Sequence, residues 1–170
     1  MARARFTAVP FDETTKAVFS QAFERASAQA VVDPLPPGHI SVEEKERGGA
    51  YAKWRRVGPH GKPQPPEYIG VEGGEAHLAA LDRLSDLQAL ASAAQTLRKL
   101  GYAGEDSPSA VVLAAMSNAS FFAGGGVLVG TRAFRCLTNH LGFRVAPSLA
   151  TQDVDVARAA RISLATPFPA

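Results

Sequence analysis

A single cysteine, Cys136, stands in a chain of 170 residues. That excludes an intrachain disulfide and a cysteine metal cluster, and the residue reads as a small apolar packing element. No segment reaches the unbroken apolar length of a membrane span. The N-terminal stretch, residues 1–6, is basic but lacks the apolar run of a secretion signal. The expectation is a cytoplasmic protein with no membrane partner. Charge of one sign is scarce as well: the net charge is +2, too small by itself to argue for nucleic acid. No Gly-Lys-Ser/Thr pattern is present, so the chain carries no Walker P-loop. No acidic residue follows the glycine turn at the distance a dinucleotide fingerprint requires. The four histidines, His39, His60, His77 and His140, are scattered without metal-ligand spacing. Ser120 and Ser148 sit in no nucleophile motif, so a hydrolytic triad is unsupported. There is no internal repeat and no low-complexity segment.

What remains is a globular composition, 46% hydrophobic and 20% charged, with length for one domain or a domain plus a small appendage. Residues 11–30 read as a helix capped by Asp12 or Thr14, with Ala17, Val18, Ala22, Phe23 and Ala26 as its apolar stripe. Pro34, Pro36 and Pro37 stop regular structure and suggest a linker. Residues 39–70 read as a small antiparallel sheet, with strands over 40–44 and 50–57, a turn over 58–62 and a third strand ending at Gly70. On it, Lys53, Arg55, Arg56 and Lys62 lie beside Tyr51 and Trp54. That grouping has two readings, a backbone-and-stacking surface for nucleic acid or a solvated face diluted by Glu43, Glu44 and Glu46. Residues 75–100 form the strongest helical pattern, with Leu78, Leu81, Leu84, Leu87, Ala91, Ala94 and Leu97 expected in the core and Gly101 as the stop. A further helix runs from Ser107 or Ser109 to about Asn118. Two regions are expected: 1–72, an N-terminal helix with a small β-sheet, and 73–170, a helical segment with a partial catalytic core.

Two stretches carry the chemistry. In the first, Gly124 to Phe134, a loop leads into a short apolar strand and then a tight turn at Gly130-Thr131 that opens a helix over about 131–141. Free backbone N–H groups at such a helix start can hold phosphate oxygens. In the second, Asp153 and Asp155 lie two positions apart on an expected short strand, where side chains share one face and can converge on one hard cation. Val154 and Val156 would face the core. A phosphate cradle beside a carboxylate pair suggests metal-assisted phosphoryl or nucleotidyl transfer.

The run Gly125-Gly126-Val127-Leu128-Val129-Gly130-Thr131-Arg132-Ala133-Phe134, followed by Leu141-Gly142 and Thr151-x-Asp153-x-Asp155, resembles the polymerase-β-type nucleotidyltransferase superfamily. More narrowly, it resembles a little-characterised bacterial family of nucleotidyltransferase-fold proteins. Lys45 to Tyr51 and Tyr68-Ile69-Gly70 fit that family's β-rich N-terminal portion. The resemblance implies an α+β fold, a nucleotidyltransferase-like short mixed sheet flanked by helices, preceded by an N-terminal helix and a small antiparallel β-sheet. It assigns Gly130 and Thr131 to the nucleotide, and Asp153 and Asp155 to catalysis and to Mg²⁺; Arg132 reads either as a further nucleotide contact or as a surface residue. The implied reaction is attack of an acceptor hydroxyl on the α-phosphate of a nucleoside triphosphate. The acceptor is open: protein, RNA or small molecule. One departure matters. The superfamily draws a third carboxylate from a later strand, and no Asp or Glu follows Asp155 here. Two expectations follow: a C-terminally truncated piece whose site an oligomer or partner chain completes, or a catalytically inactive nucleotide- or partner-binding module. Glu105 or Asp106 would be the upstream substitutes for the missing acid.

Overall fold

The computed structural model describes residues 7–45, 48–58, 61–146 and 153–158. The basic residues 1–6, His60, Ser148, Thr151, Gln152 and the tail from residue 159 lie outside the described residues. The architecture is α+β. Its described residues form four helices and three small antiparallel sheets.

Asp12 begins α1 (Glu13–Ser27): the Thr15 backbone N–H and hydroxyl donate to its carboxylate at 2.8 and 2.9 Å. These bonds satisfy a donor that the helix itself leaves open. They also hold the Asp12 carboxyl below its ordinary value. Ahead of the helix lies a strand that no local pattern announced, β1 (Thr7–Pro10). It pairs antiparallel with β6 (Phe143–Ala146), Thr7 opposite Ala146. Phe11 extends the pairing, its N–H donating to the Gly142 carbonyl at 2.9 Å.

The expected meander is present as β2 (His39–Glu44), β3 (Ala50–Arg55) and β4 (Glu67–Val71), in the order β2-β3-β4. Ala52 and Trp54, two positions apart and therefore on one face, are buried. Trp54 meets Leu84 and Leu87 of α2 (Glu75–Lys99), with Ile40, Ile69 and Ala80 around them. Burying an aromatic ring of this size is the largest single contribution a small sheet of this kind can make to its core.

The basic-aromatic grouping on β3 is built into the fold. The Trp54 indole N–H donates to the Pro37 carbonyl at 2.7 Å. Arg56 grips both oxygens of Asp33 at 2.7 and 2.8 Å, and Arg83 reaches the same carboxylate at 3.1 Å. Both guanidinium groups lie over the Trp54 ring. Lys53 and Arg55 share Glu43. Asp33 is 9% exposed. Burial pushes its carboxyl up, but the Arg56 hydrogen bond, the Leu35 backbone N–H and the charges of Arg56 and Arg83 outweigh that and leave it below its ordinary value. The proline segment is thus a strap between sheet and helices. Its other end is clasped by Asn118, which exchanges two 2.9 Å hydrogen bonds with the Val32 backbone.

Two packing expectations are corrected. Leu84 and Leu87 are buried, but Leu78 and Leu81 are 54% and 40% exposed, and Ala91 and Ala94 are exposed as well. The physical reason is reach. A helix of 25 residues is about 37 Å long, and three short strands cover only a part of it. Cys136 is exposed, not packed as an apolar residue. A second cluster packs α1 against the loop after α2 and the last residue of the helix ending at His140: Phe11 and Phe19 stack on Tyr102 at 4.1 and 4.9 Å, and His140 sets its ring edge against Phe23 at 5.5 Å.

Candidate functional site

The site is assembled on α3 (Ser107–Asn118), β5 (Gly126–Leu128), α4 (Gly130–His140) and β7 (Val156–Arg158). Asp106 caps α3, accepting from the Ser109 N–H at 2.9 Å. Ser109's backbone and side-chain hydrogen bonds, with the Arg135 charge adding to them, hold the Asp106 carboxyl below its ordinary value. After α3 the chain turns through Phe121, whose ring lies where a side chain at Gly126 would stand, and enters β5. β5 pairs antiparallel with β7, Gly126 opposite Arg158 and Leu128 opposite Val156.

Beyond that ladder the Val129 N–H donates to the Asp155 carbonyl at 2.9 Å. This bond brings the Asp-x-Asp segment alongside the start of α4. Gly130 is required there twice over. Its φ is +69°, a left-handed conformation that a side chain disfavours. A Cβ on it would also lie 2.4 Å from Asp155 Oδ2. A carboxylate oxygen therefore sits directly against the glycine turn. The N-cap residue, Val129, has no polar side chain to offer, and the first turn of α4 contains no acid. The positive end of the helix dipole is aimed at this corner. Thr131 is half-buried beside it.

The strand expectation needs correcting at its start. The ladder begins at Val156, so Asp153, Val154 and Asp155 lie just before it. Val156 is 42% exposed instead of facing a core. The ladder is only three residues long: Leu128, opposite Val156, is half-buried, and Val127, opposite Ala157, is exposed as well. Asp155 reaches the turn through its side chain. Asp153 is tied to α4 through its backbone: its carbonyl accepts from Arg132 Nε at 2.8 Å, and the residue itself is exposed.

Arg132 is 1% exposed, so it is not a surface side chain. It is ion-paired with Glu105 and lies 3.5 Å from Asp106. Glu105 also faces Arg135 at 3.5 Å. The two upstream acids are thus drawn to the base of the site by arginine. Arg132 and Arg135, three residues apart on one helix, share a face. That spacing was the one sequence signal for this network; the partner loop is far away in sequence. Among the described residues no group of three or more His, Cys, Asp or Glu side chains is placed to hold a metal ion.

Residues 107–168 match a nucleotidyltransferase family. The matched stretch begins at α3 and contains the Gly130 turn and both aspartates. It supports nucleotidyl transfer as the general activity, and a nucleotide as the substrate class. No curated protein and no solved structure matches the chain. Among the described residues no helix is long and apolar enough to cross a membrane.

The donor chemistry fits magnesium. Mg²⁺ takes hard oxygen ligands, commonly one or two carboxylates, and completes its shell with substrate phosphates and water. Asp155 offers a carboxylate at the mouth of α4, and Asp153 adds a second from the same short segment. Of the two, the Asp155 carboxylate is placed at the turn, and Asp153 is fixed through its backbone carbonyl.

Proposed function

We propose that this chain carries the nucleotide-binding half of a magnesium-dependent nucleotidyltransferase site. In this reading the backbone N–H groups at Gly130 and Thr131 take the phosphate oxygens of a nucleoside triphosphate, where the α4 dipole favours negative charge. Asp153 and Asp155 hold Mg²⁺, which when bound supplies charge neutralisation between the phosphate oxygens. The glycine lets the polyphosphate approach the backbone closely. Arg132 acts as a positioning residue: buried and paired with Glu105, it holds the Asp153 carbonyl and so fixes the segment carrying both acids. An acceptor hydroxyl attacks the α-phosphorus as the bond to pyrophosphate breaks, and the hydroxyl proton leaves to solvent or to a carboxylate.

The observation that carries the reading is the contact between the Asp155 carboxylate and Gly130. It unites the two sequence motifs at one point. The test is titration of nucleoside triphosphate with and without Mg²⁺ on the wild type, Asp153→Asn and Asp155→Asn. Metal-dependent binding that weakens by about 10²-fold in either variant is expected, since a bound metal contributes several kcal/mol of charge stabilisation. Binding that ignores both the metal and the aspartates overturns it.

A second reading has its own observation. Among the described residues no third carboxylate joins Asp153 and Asp155 in a metal-holding group. Among the described residues alone, a module that binds nucleotide without transferring it fits a set of two carboxylates. Pyrophosphate release in the presence of candidate acceptors separates the two: transfer releases it, and simple binding does not.

A further inference from the structure

We propose that the cavity between α2, α4 and β6 is a binding site for a small phosphate-bearing molecule, separate from the Gly130 turn. The cavity has a volume of about 450 Å³, within the roughly 300–1,000 Å³ range of small-molecule sites. Three arginines from three elements line it: Arg98 at the end of α2, Arg135 on α4 and Arg144 on β6. Among the described residues no Asp or Glu lines it. Tyr102, Phe134 and Phe143 supply apolar wall.

The cavity is held in shape. Asn139 clasps the loop after α2, accepting from the Ala103 N–H at 3.0 Å and donating to the Ala103 carbonyl at 2.8 Å. Arg98 donates to the Glu105 carbonyl at 3.2 Å. Arg135 donates to the Gly104 carbonyl and faces Glu105, which leaves its buried Nε without a hydrogen-bond partner. A buried donor without a partner is unfavourable. Arg144 is exposed, lies beside Gly101 in the cavity wall and has no carboxylate partner among the described residues.

Arg135 is already turned to Glu105, while Arg98 and Arg144 bring to the concavity charge that no carboxylate among the described residues answers. The planar fork of arginine matches phosphate oxygens two at a time. A dianionic phosphate answers more of this charge than a single carboxylate does, and the aromatic wall suits an apolar or planar body attached to it. The site lies toward the far end of α4 from Gly130 and does not depend on the transfer reaction proposed above.

The test is calorimetric or NMR titration of the full chain with inorganic phosphate, adenosine monophosphate and acetate, all in chelator so that magnesium plays no part. Saturable binding of both phosphates, with adenosine monophosphate the tighter and acetate much weaker, is expected. Arg144→Gln, at the rim and outside every ion pair described, should weaken both roughly tenfold while the thermal midpoint stays put. Arg98→Gln should act in the same direction. Asp155→Asn should leave phosphate binding unchanged, just as Arg144→Gln should leave magnesium-dependent triphosphate binding unchanged. Absence of saturable binding, acetate binding as tight as phosphate, or indifference to both arginine variants overturns the proposal. Loss of binding in Asp155→Asn also overturns it, by assigning the phosphate to the Gly130 turn.

Discussion

The strand cluster on β3 and the loop cluster at the mouth of α4 hold similar residue types and use them in opposite ways. On β3 every cation of the grouping with a described partner meets an acid or an aromatic ring within the fold: Arg56 on Asp33, Lys53 and Arg55 on Glu43, Trp54 under two guanidinium groups. At α4 the arginine is the buried member, and the aspartates it positions stay at the surface. Charge turned inward and paired is architecture. Charge left outward beside a helix start and a close-packed glycine is available to a ligand. Neither outcome is decided by the residues' identities, since both clusters read from sequence as charged groups near turns.

The contrast can be broken most forcefully at Arg132. Replacing it with methionine leaves Glu105 facing Arg135 alone and frees the Asp153 carbonyl. A loss of about 3–5 kcal/mol is expected, as for one partner removed from a buried pair, read as a lower urea midpoint. An unchanged midpoint would mean that the arginine holds nothing. Next comes Gly130→Ala, where the left-handed φ alone costs about 1–2 kcal/mol. The added methyl must also displace Asp155, so triphosphate binding should fall together with stability. If stability drops and binding persists, the Asp155 contact is structural only.

The strap gives a smaller effect with a distinct pH signature. Asp33 is held below its ordinary carboxyl value of 3.8, so its contribution to stability is present above that value and is lost as pH falls through the lowered one. Asp33→Asn should therefore cost on the order of 1 kcal/mol near neutral pH, with the gap to wild type closing in acid. A gap that stays constant down to strongly acidic pH would remove the ion pair from the account. The smallest effect belongs to Arg55→Ala. Its pair with Glu43 is exposed on both sides, worth at most about 1 kcal/mol. RNA or DNA affinity should not respond either; salt-sensitive nucleic-acid binding abolished by this change would return β3 to the list of functional surfaces.

Local chemistry was legible where its cause lies within a few residues. Asp12 before an apolar stripe marks the start of α1, and its carboxylate meets the Thr15 N–H as a cap must. Gly101 and Gly142 follow the ends of α2 and α4. The alternation around Trp54 identified β3, but not that Trp54, grouped in sequence with the basic surface residues, faces the core. What stayed hidden has distant partners. β1 has no strong pattern of its own and exists because β6 pairs with it. The leucine periodicity of α2 marks a helix but does not say how much of that helix other elements cover, so Leu78 and Leu81 were misplaced. The spacing of Asp153 and Asp155 put two acids close together without revealing that the ladder starts after them.

By itself the sequence determined the helices, the meander and the family resemblance of the C-terminal stretch. Periodicity, capping and glycine stops act over one or two turns of chain. Only the tertiary structure decided that Asp155 lies against Gly130, that Arg132 is buried between Glu105 and the Asp153 carbonyl, and that three arginines from separate elements surround one cavity. Each of those arrangements joins groups far apart in sequence. A charge's partner, and hence whether it is neutralised within the fold or left for a ligand, is set by where chain folding brings the other side chains.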